Sequence, residues 1–243
     1  MHDGIEPDGA IPAELSPDEC AATYVVIAAY REAAVIGNVV AQLRASYPHV
    51  VVVDDGSGDA TGANARAAGA IVLTHLVNRG QGAALQTGIT YSLKAGARFV
   101  VTFDADGQHR VEDVAALVAP LVRGEADVCL GSRFLGDADA VPTGRRILLT
   151  LAVIFTWITS RMKVSDAHNG LRAFTRDAAA RLDIQLDRMA HASEVLDQIR
   201  QHDLRYREIP VRIHYTEYSL AKGQRSGAAF KVAFDYLIGR LLE

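Results

Sequence analysis

Residues 99–109 read FVVTFDADGQH, a short apolar run that ends abruptly in two aspartates two positions apart. A stretch this apolar and β-branched, bounded by turn residues, reads as a strand covered on both faces, as parallel strands are. Four further segments read the same way: Tyr24–Ala28, Val50–Val53, Ile71–Thr74 and Val128–Leu130. Between them, Glu32–Ser46, Thr61–Ala68, Gly80–Ala95 and Val111–Val122 carry helix-forming composition. Strand–helix alternation predicts right-handed crossovers and a single α/β domain, with helices on both faces of a mainly parallel sheet.

Beyond Ser132 the pattern changes. A polar loop, Gly136–Gly144, leads into an apolar stretch from Ile147, and a second loop surrounds Asp166–Gly170. A helix near His191–Gln201, a strand over Tyr206–His214 and a final helix from about Ala228 follow. In that last helix Phe230, Phe234, Leu237, Ile238 and Leu241 recur at helical spacing and form one apolar face. Core packing is its default role, and docking on a membrane surface the alternative. The longest apolar run, Ile147–Thr159, falls short of the roughly 18 residues that a spanning helix requires. Residues 1–22 carry Asp3, Glu6, Asp8, Glu14, Asp18 and Glu19 before the first cation, Arg31, and read as a disordered acidic tail. The expected organisation is this tail, a domain over 23–225, and an amphipathic helix over 226–243.

The formal net charge of the 243-residue chain is -4, which argues against nucleic acid as a partner, since phosphate backbones need a basic surface. Cys20 and Cys129 stand far apart without metal-ligand spacing, as expected in a reducing compartment. No basic start followed by an apolar stretch marks a secretory signal, so the expected location is cytoplasmic.

Open parallel sheets bind ligands beyond the carboxyl ends of their strands, and this sequence places its acids there. VVVVDDGSGD (50–59) puts Asp54 and Asp55 at one strand tip, and DADGQ puts Asp104, Ala105, Asp106 and Gln108 at another. The glycines after Asp55 do not follow G-x-G-x-x-G, two carboxylates in front of them would repel a pyrophosphate, and no Gly-Lys-Ser/Thr follows. They read instead as a tight turn, with Asp54 either a turn cap or a hydrogen-bond acceptor for a base or ribose. Two carboxylates and the Gln108 amide oxygen form a hard-oxygen set suited to Mg²⁺ or Mn²⁺. A surface acidic turn is the alternative.

Taken together, IAAYRE (27–32), VVDDGSGDAT (52–61), NRGQGAALQTG (78–88), FDADGQH (103–109), GSRF (131–134) and DAHNGLRAF (166–174) resemble the family 2 glycosyltransferases. Within them the likeness is to the polyprenyl-phosphate (dolichyl-phosphate) mannose and glucose synthases. The resemblance implies a GT-A fold, a Rossmann-like nucleotide-binding domain, and a nucleotide-diphosphate sugar donor of the GDP-mannose or UDP-glucose type. It implies that Asp104, Ala105 and Asp106 meet metal and diphosphate, that Gln108 is a further metal ligand, and that Ala28, Tyr30 and Glu32 line the nucleotide. Asp55 falls where the family's acid reads the base. Asn78, Gly80 and Gly82 fall in the turn and helix start that approach the nucleotide, where helix N-termini favour anions. The chain departs from the family pattern at Ala28 (usually Pro), Arg31 (usually Asn) and Gln81 (often Lys).

A phosphate monoester has a second pKa near ~6 and is already a good nucleophile at neutral pH, so it needs cations rather than a general base. Arg133, Arg146 and Thr150 match acceptor-phosphate positions of the lipid-phosphate synthases, and Lys222 and Arg225 lie in SLAKGQRSG, which matches a mobile basic loop. Arg145, Arg146 and Arg161 read alternatively as solvated ends of an apolar helix. Asp166, His168 and Asn169 match an element bordering the sugar site, with contact to the sugar expected and base catalysis by Asp166 the alternative. Glu194 matches an acid common in the family. His75, His191, His202 and His214 show no metal spacing and read as surface or capping residues. The expected reaction is metal-dependent, inverting hexose transfer to a polyprenyl phosphate, with Asp106, Arg133 and Asp166 as its central residues. The expected setting is the inner face of the plasma membrane, with a membrane surface or membrane-embedded partner. The rivals are transfer to a hydroxyl, a nucleotidyltransferase, which would carry a basic glycine-rich loop that AAYREA lacks, and a non-catalytic nucleotide-sugar binding protein.

Overall fold

A computed structural model describes residues 14–135, 162, 164–167, 169–186 and 190–213. Its strands are β1 (Thr23–Ala29), β2 (His49–Asp54), β3 (Ile71–Thr74), β4 (Phe99–Asp104), β5 (Val128–Ser132), β6 (Arg172–Thr175) and β7 (Tyr206–Pro210). Its helices are α1 (Pro17–Ala21), α2 (Ile36–Arg44), α3 (Thr61–Ala67), α4 (Gln81–Lys94), α5 (Val111–Val122), α6 (Arg176–Arg181) and α7 (Ala190–Gln201). The strands form one sheet in the order β3-β2-β1-β4-β6-β5-β7. Neighbours pair in parallel except β6, which runs antiparallel between β4 and β5.

The apolar strands are explained by cover on both faces. Along β1, Val25, Ile27 and Ala29 join Ile36, Val39, Val40 and Leu43 of α2 and Val114, Leu117 and Val118 of α5. Tyr24 and Val26, pointing the other way, join Leu85 and Ile89 of α4 and Val195, Leu196 and Ile199 of α7. The spacing 36, 39, 40, 43 is one helical face, and each fully buried aliphatic side chain contributes about 1.5–3 kcal/mol. The register sets Ala28 beside Asp104 and Ala29 beside Asp54, so β1, β2 and β4 end level along one edge.

Several expectations change. The acidic tail does not extend to residue 22: Pro17–Ala21 is helical, closed by a capping box in which Ser16 and Glu19 bond each other's backbone amides. Leu15, Cys20 and Ala22 pack on the core beside it. Helix α2 starts at Ile36 rather than Glu32, because Arg31 has φ 57 and residues 33–35 form a turn. Strand β6 and helix α6 lay unrecognised behind the 166–170 loop: a four-residue strand opened by an arginine has no apolar run to announce it. The expected final strand shortens to Tyr206–Pro210, followed by a single antiparallel bridge between Ile213 and His109. The apolar stretch 147–159 and the helix expected from about 228 lie outside the described residues, among which no helix is long and apolar enough to cross a membrane.

Where β7 enters the sheet, Arg205 reaches Asp127 with Nη2 at 2.8 Å and Nε at 3.1 Å, and its backbone amide adds a third bond at 2.9 Å. The Arg205 hydrogen bonds hold the Asp127 carboxyl below its ordinary range, with burial opposing and the cation's charge assisting. A carboxylate depressed on folding stabilises the fold above its unfolded pKa of about 3.9 and loses that contribution as pH falls through the folded value. Asp127→Asn should therefore lower the urea midpoint at pH 7. The gap to the parent protein should close as pH falls below about 4, read from unfolding curves at stepped pH.

Candidate active site

Strand β4 delivers Asp104 at its last position, and Ala105–Gln108 turn back over the edge, with Gly107 at φ 72. One Asp104 oxygen bonds His109 Nε2 at 2.9 Å, and the other receives Gln81 Nε2 from the start of α4 at 3.3 Å. His109 is buried, edge-on to Phe103, and its Nδ1 has no hydrogen-bond partner. The Asp106 carboxylate accepts the Gln108 amide at 3.1 Å.

The two acids are driven apart electrostatically. Burial alone would raise Asp104, but the His109 hydrogen bond, with the charges of His109, His191 and Arg133, leaves it below its ordinary value. Burial, then the Asp104 charge, pushes Asp106 up, with Glu32 adding to the rise and the Gln108 amide and His109 opposing it. Asp106 is therefore the harder of the two to ionise. Among the described residues no group of three or more His, Cys, Asp or Glu side chains is arranged to hold a metal. Two carboxylates and an amide, with charge to neutralise, still fit a hard divalent cation that completes its shell with phosphate oxygens and water.

Next along the edge, Asp54 and Asp55 have different tasks. Asp54 caps its own turn, accepting the Ser57 amide at 3.1 Å and the Ser57 hydroxyl. Asp55, 2% exposed, accepts the amides of Arg79 (2.9 Å) and Gly80 (2.8 Å) and His75 Nδ1 (2.7 Å). It thus ties the 75–80 turn to β2. His75 Nε2 continues to Thr87 Oγ at 3.0 Å, so this histidine is a half-buried bridge rather than the surface or capping residue expected. Gly56, at φ 69, is required here: a β-carbon would lie 2.8 Å from the Val77 carbonyl carbon. Gly80 is the α4 N-cap, without a side-chain cap, and Gly82 packs so tightly on 184–186 that a β-carbon would lie 2.2 Å from the Leu186 oxygen.

The loop after β1 lies against the Asp54–Ser57 turn. Arg31 donates its amide to Ser57 Oγ at 3.0 Å, and buried Glu32 donates its amide to Thr61 Oγ at 2.9 Å. Tyr30 is exposed, with the Arg31 guanidinium 5.2 Å from its ring centre.

On the far side of Asp104 a second set gathers. Arg133, just past β5, bonds Asp166 Oδ2 through Nε at 2.6 Å, and the side chains are 11% and 1% exposed. The Arg133 amide (3.2 Å) and Asn169 Nδ2 (3.4 Å) reach the same oxygen, while Asp166 Oδ1 is buried without a partner. Glu208 of β7 holds this loop by accepting Ser165 through its amide and its hydroxyl, both at 2.7 Å. Ser165 Oγ in turn lies 2.6 Å from Ser132 Oγ. Glu194 is a local brace, accepting the amides of Gln185 and Leu186. His191 is buried in its helix, contrary to expectation, and His202 is exposed as expected. Arg146, Thr150, His168, His214, Lys222 and Arg225 lie outside the described residues.

Sequence reasoning missed His109, Gly170, Arg172 and Glu208. His109 had a signal, its place three residues after Asp106. The other three act through the 165–170 loop, whose contacts with β4, β7 and α7 are set by the fold.

The sequence and the fold have counterparts among known proteins. Residues 24–183 match the model of glycosyl transferase family 2. A UDP-N-acetylglucosamine–dolichyl-phosphate N-acetylglucosaminyltransferase of Methanococcus voltae is 31% identical, over 90% of this chain and 98% of its own. A polyprenol monophosphomannose synthase of Mycolicibacterium smegmatis is 30% identical, over 96% of this chain and 93% of its own. In fold, the chain resembles a glucosyl-3-phosphoglycerate synthase of Mycobacterium tuberculosis, crystallised with Mn²⁺, uridine diphosphate and glucosyl-3-phosphoglycerate. There the TM-score is 0.64 at 22% identity, over 88% of this chain and 79% of that one.

A strained residue gives a direct check of the first loop. At φ 57, Arg31 occupies the left-handed region, which costs an ordinary side chain roughly 1–2 kcal/mol. Asparagine tolerates it better, so Arg31→Asn should stabilise the protein by about 0.5–1 kcal/mol, measured by chemical denaturation.

Proposed function

The chain belongs to glycosyl transferase family 2 and has the GT-A fold; from that premise we propose that it moves a hexose from a nucleoside-diphosphate sugar to a polyprenyl phosphate, with inversion. The donor's nucleoside would lie along Ala28–Glu32 and the 75–82 turn, at the ends of β1, β2 and β3. Its diphosphate would meet Asp104, Asp106 and Gln108, the residues that would hold Mg²⁺ or Mn²⁺. Bound there, the cation would neutralise charge developing on the departing nucleoside diphosphate.

One observation favours a phosphate over a hydroxyl acceptor: Asp166 is committed to Arg133. A general base must have an accessible oxygen within reach of the proton it removes. Oδ2 of Asp166 accepts from Arg133 and Asn169, Oδ1 has no partner but is buried, and the side chain is 1% exposed. What this region offers is a guanidinium beyond β5, and a guanidinium suits a dianionic phosphate. An acceptor phosphate oxygen would attack the anomeric carbon as that carbon's bond to the nucleoside diphosphate breaks. No proton needs removal in this step. Arg146 and Thr150, and Lys222 and Arg225 from the basic segment, complete the proposed phosphate contacts. The relatives named for dolichyl and polyprenol phosphates support this acceptor. A lipid-borne acceptor puts the protein at work on a membrane surface, at its cytoplasmic face in this reading.

Asp106→Ala should reduce transfer at least about 100-fold, measured with radiolabelled nucleotide sugar and a short-chain polyprenyl phosphate. Turnover at the parent rate would refute the metal role. Thermal shifts with GDP-, UDP- and dTDP-sugars, with and without Mn²⁺, should single out one nucleotide whose stabilisation requires the cation. Asp166→Asn separates the acceptors: it should leave the shape of the pH–rate profile unchanged. Loss of a limb of a bell-shaped profile would instead assign Asp166 as base for a hydroxyl.

A further inference from the structure

Arg172 has no place in the reaction just described, yet it is 6% exposed at the first position of β6. Its donors reach backbone carbonyls: Nε to Asn169 at 3.0 Å, and Nη2 to Ala167 at 3.0 Å and Ala192 of α7 at 3.5 Å. The first two belong to the 166–170 loop, which joins the two halves of the site. At one end the loop carries Asp166, bonded to Arg133. At the other end Gly170 lies against Asp104, so closely that a β-carbon would stand 2.3 Å from both carboxylate oxygens. Thr102 of β4 holds the Gly170 carbonyl at 2.7 Å.

A buried cation is weak support for stability, because removing a charge from water costs more than carbonyl hydrogen bonds return. Burial pulls the Arg172 guanidinium down to about 10, against the opposing charges of Asp104 and Asp166, so it is still charged at neutral pH. The charge is thus felt by one acid on each side of the site, and the planar fork grips the loop between them.

We propose that Arg172 is a positioning residue that locks the 166–170 loop so that Asp104 on the metal side and the Arg133–Asp166 pair on the acceptor side are set together as one unit. The inference rests on the metal and acceptor reading above. Its consequence is thermodynamic. Any influence that one site exerts on the other's affinity through this loop must be returned in equal measure.

The test uses Mn²⁺, titrated by its electron paramagnetic resonance signal, and a water-soluble short-chain polyprenyl phosphate. In the parent protein, saturating acceptor should change Mn²⁺ affinity about fivefold or more. Arg172→Lys keeps the charge and loses the fork. It should weaken Mn²⁺ binding and raise the acceptor KM together, each by about tenfold, and reduce the linkage between them. A merely structural role would lower the melting temperature and leave both constants of the folded protein unchanged. That result, or a shift in one constant alone, overturns the proposal. If Arg172→Lys does not fold, Gly170→Ala serves. Pressing on Asp104 must weaken Mn²⁺ binding locally, so the deciding result is the acceptor KM, which should rise with it and, unchanged, would refute the coupling. Absence of linkage in the parent protein also overturns the proposal. A parent protein that binds no Mn²⁺ and uses no phosphate acceptor sinks the functional reading itself. One that does both while Arg172→Lys behaves identically sinks only the role of Arg172.

Discussion

Asp104 and Asp106, two residues apart at the end of a buried strand, stand where burial opposes the ionisation of both and the charge of Asp104 opposes that of Asp106 as well. Asp104 is kept ionised by His109 and by cations at a greater distance, while Asp106 is left on the costly side of the balance. The fold cannot relieve this by turning the acids into solvent, because Gly170 and the His109 hydrogen bond hold Asp104 in place. In the proposed function Asp106 is the acid that would face a cation and, through it, a diphosphate.

The neighbouring elements read as support for that arrangement. Asp55 shapes the turn before α4 by holding two amides and a histidine, so its acid fixes the start of that helix from beneath. Across β4, the antiparallel insertion of β6 between β4 and β5 brings the 166–170 loop between Asp104 and Arg133. A wholly parallel sheet would place β5 directly beside β4, with no returning chain to carry that loop. Asp104 and the Arg133–Asp166 pair thereby share one support.

The main features of the fold were readable because each depends on a few adjacent residues. The five apolar runs became β1 to β5 with ends shifted by at most two residues, and the helices between them formed within the segments that composition placed, α2 starting four residues late. The acids at the strand tips were equally readable, since a strand that stops at Asp104 must leave it at the edge. Less readable were elements whose local signal was weak. Arg172–Thr175 opens with a charge and spans four residues, and Pro17–Ala21 hid within an acidic segment whose charge suggested disorder. His75 and His191 looked like surface residues because nothing nearby in the chain buries them.

By itself the sequence determined a layered α/β domain, the edge at which its chemistry gathers, and the acids placed there. Periodicity and strand ends are local properties, decided over roughly five to fifteen residues. Only the tertiary structure decided which of those acids are committed and to what. Asp166 and Arg133 are 33 positions apart and meet because β6 turns back beside β5. Arg172 becomes a buried clamp, rather than a solvated cation, because α7 covers it and Ala192 offers a carbonyl. Such pairings depend on sheet order and register, which follow from the packing of the whole chain and are carried by no single segment.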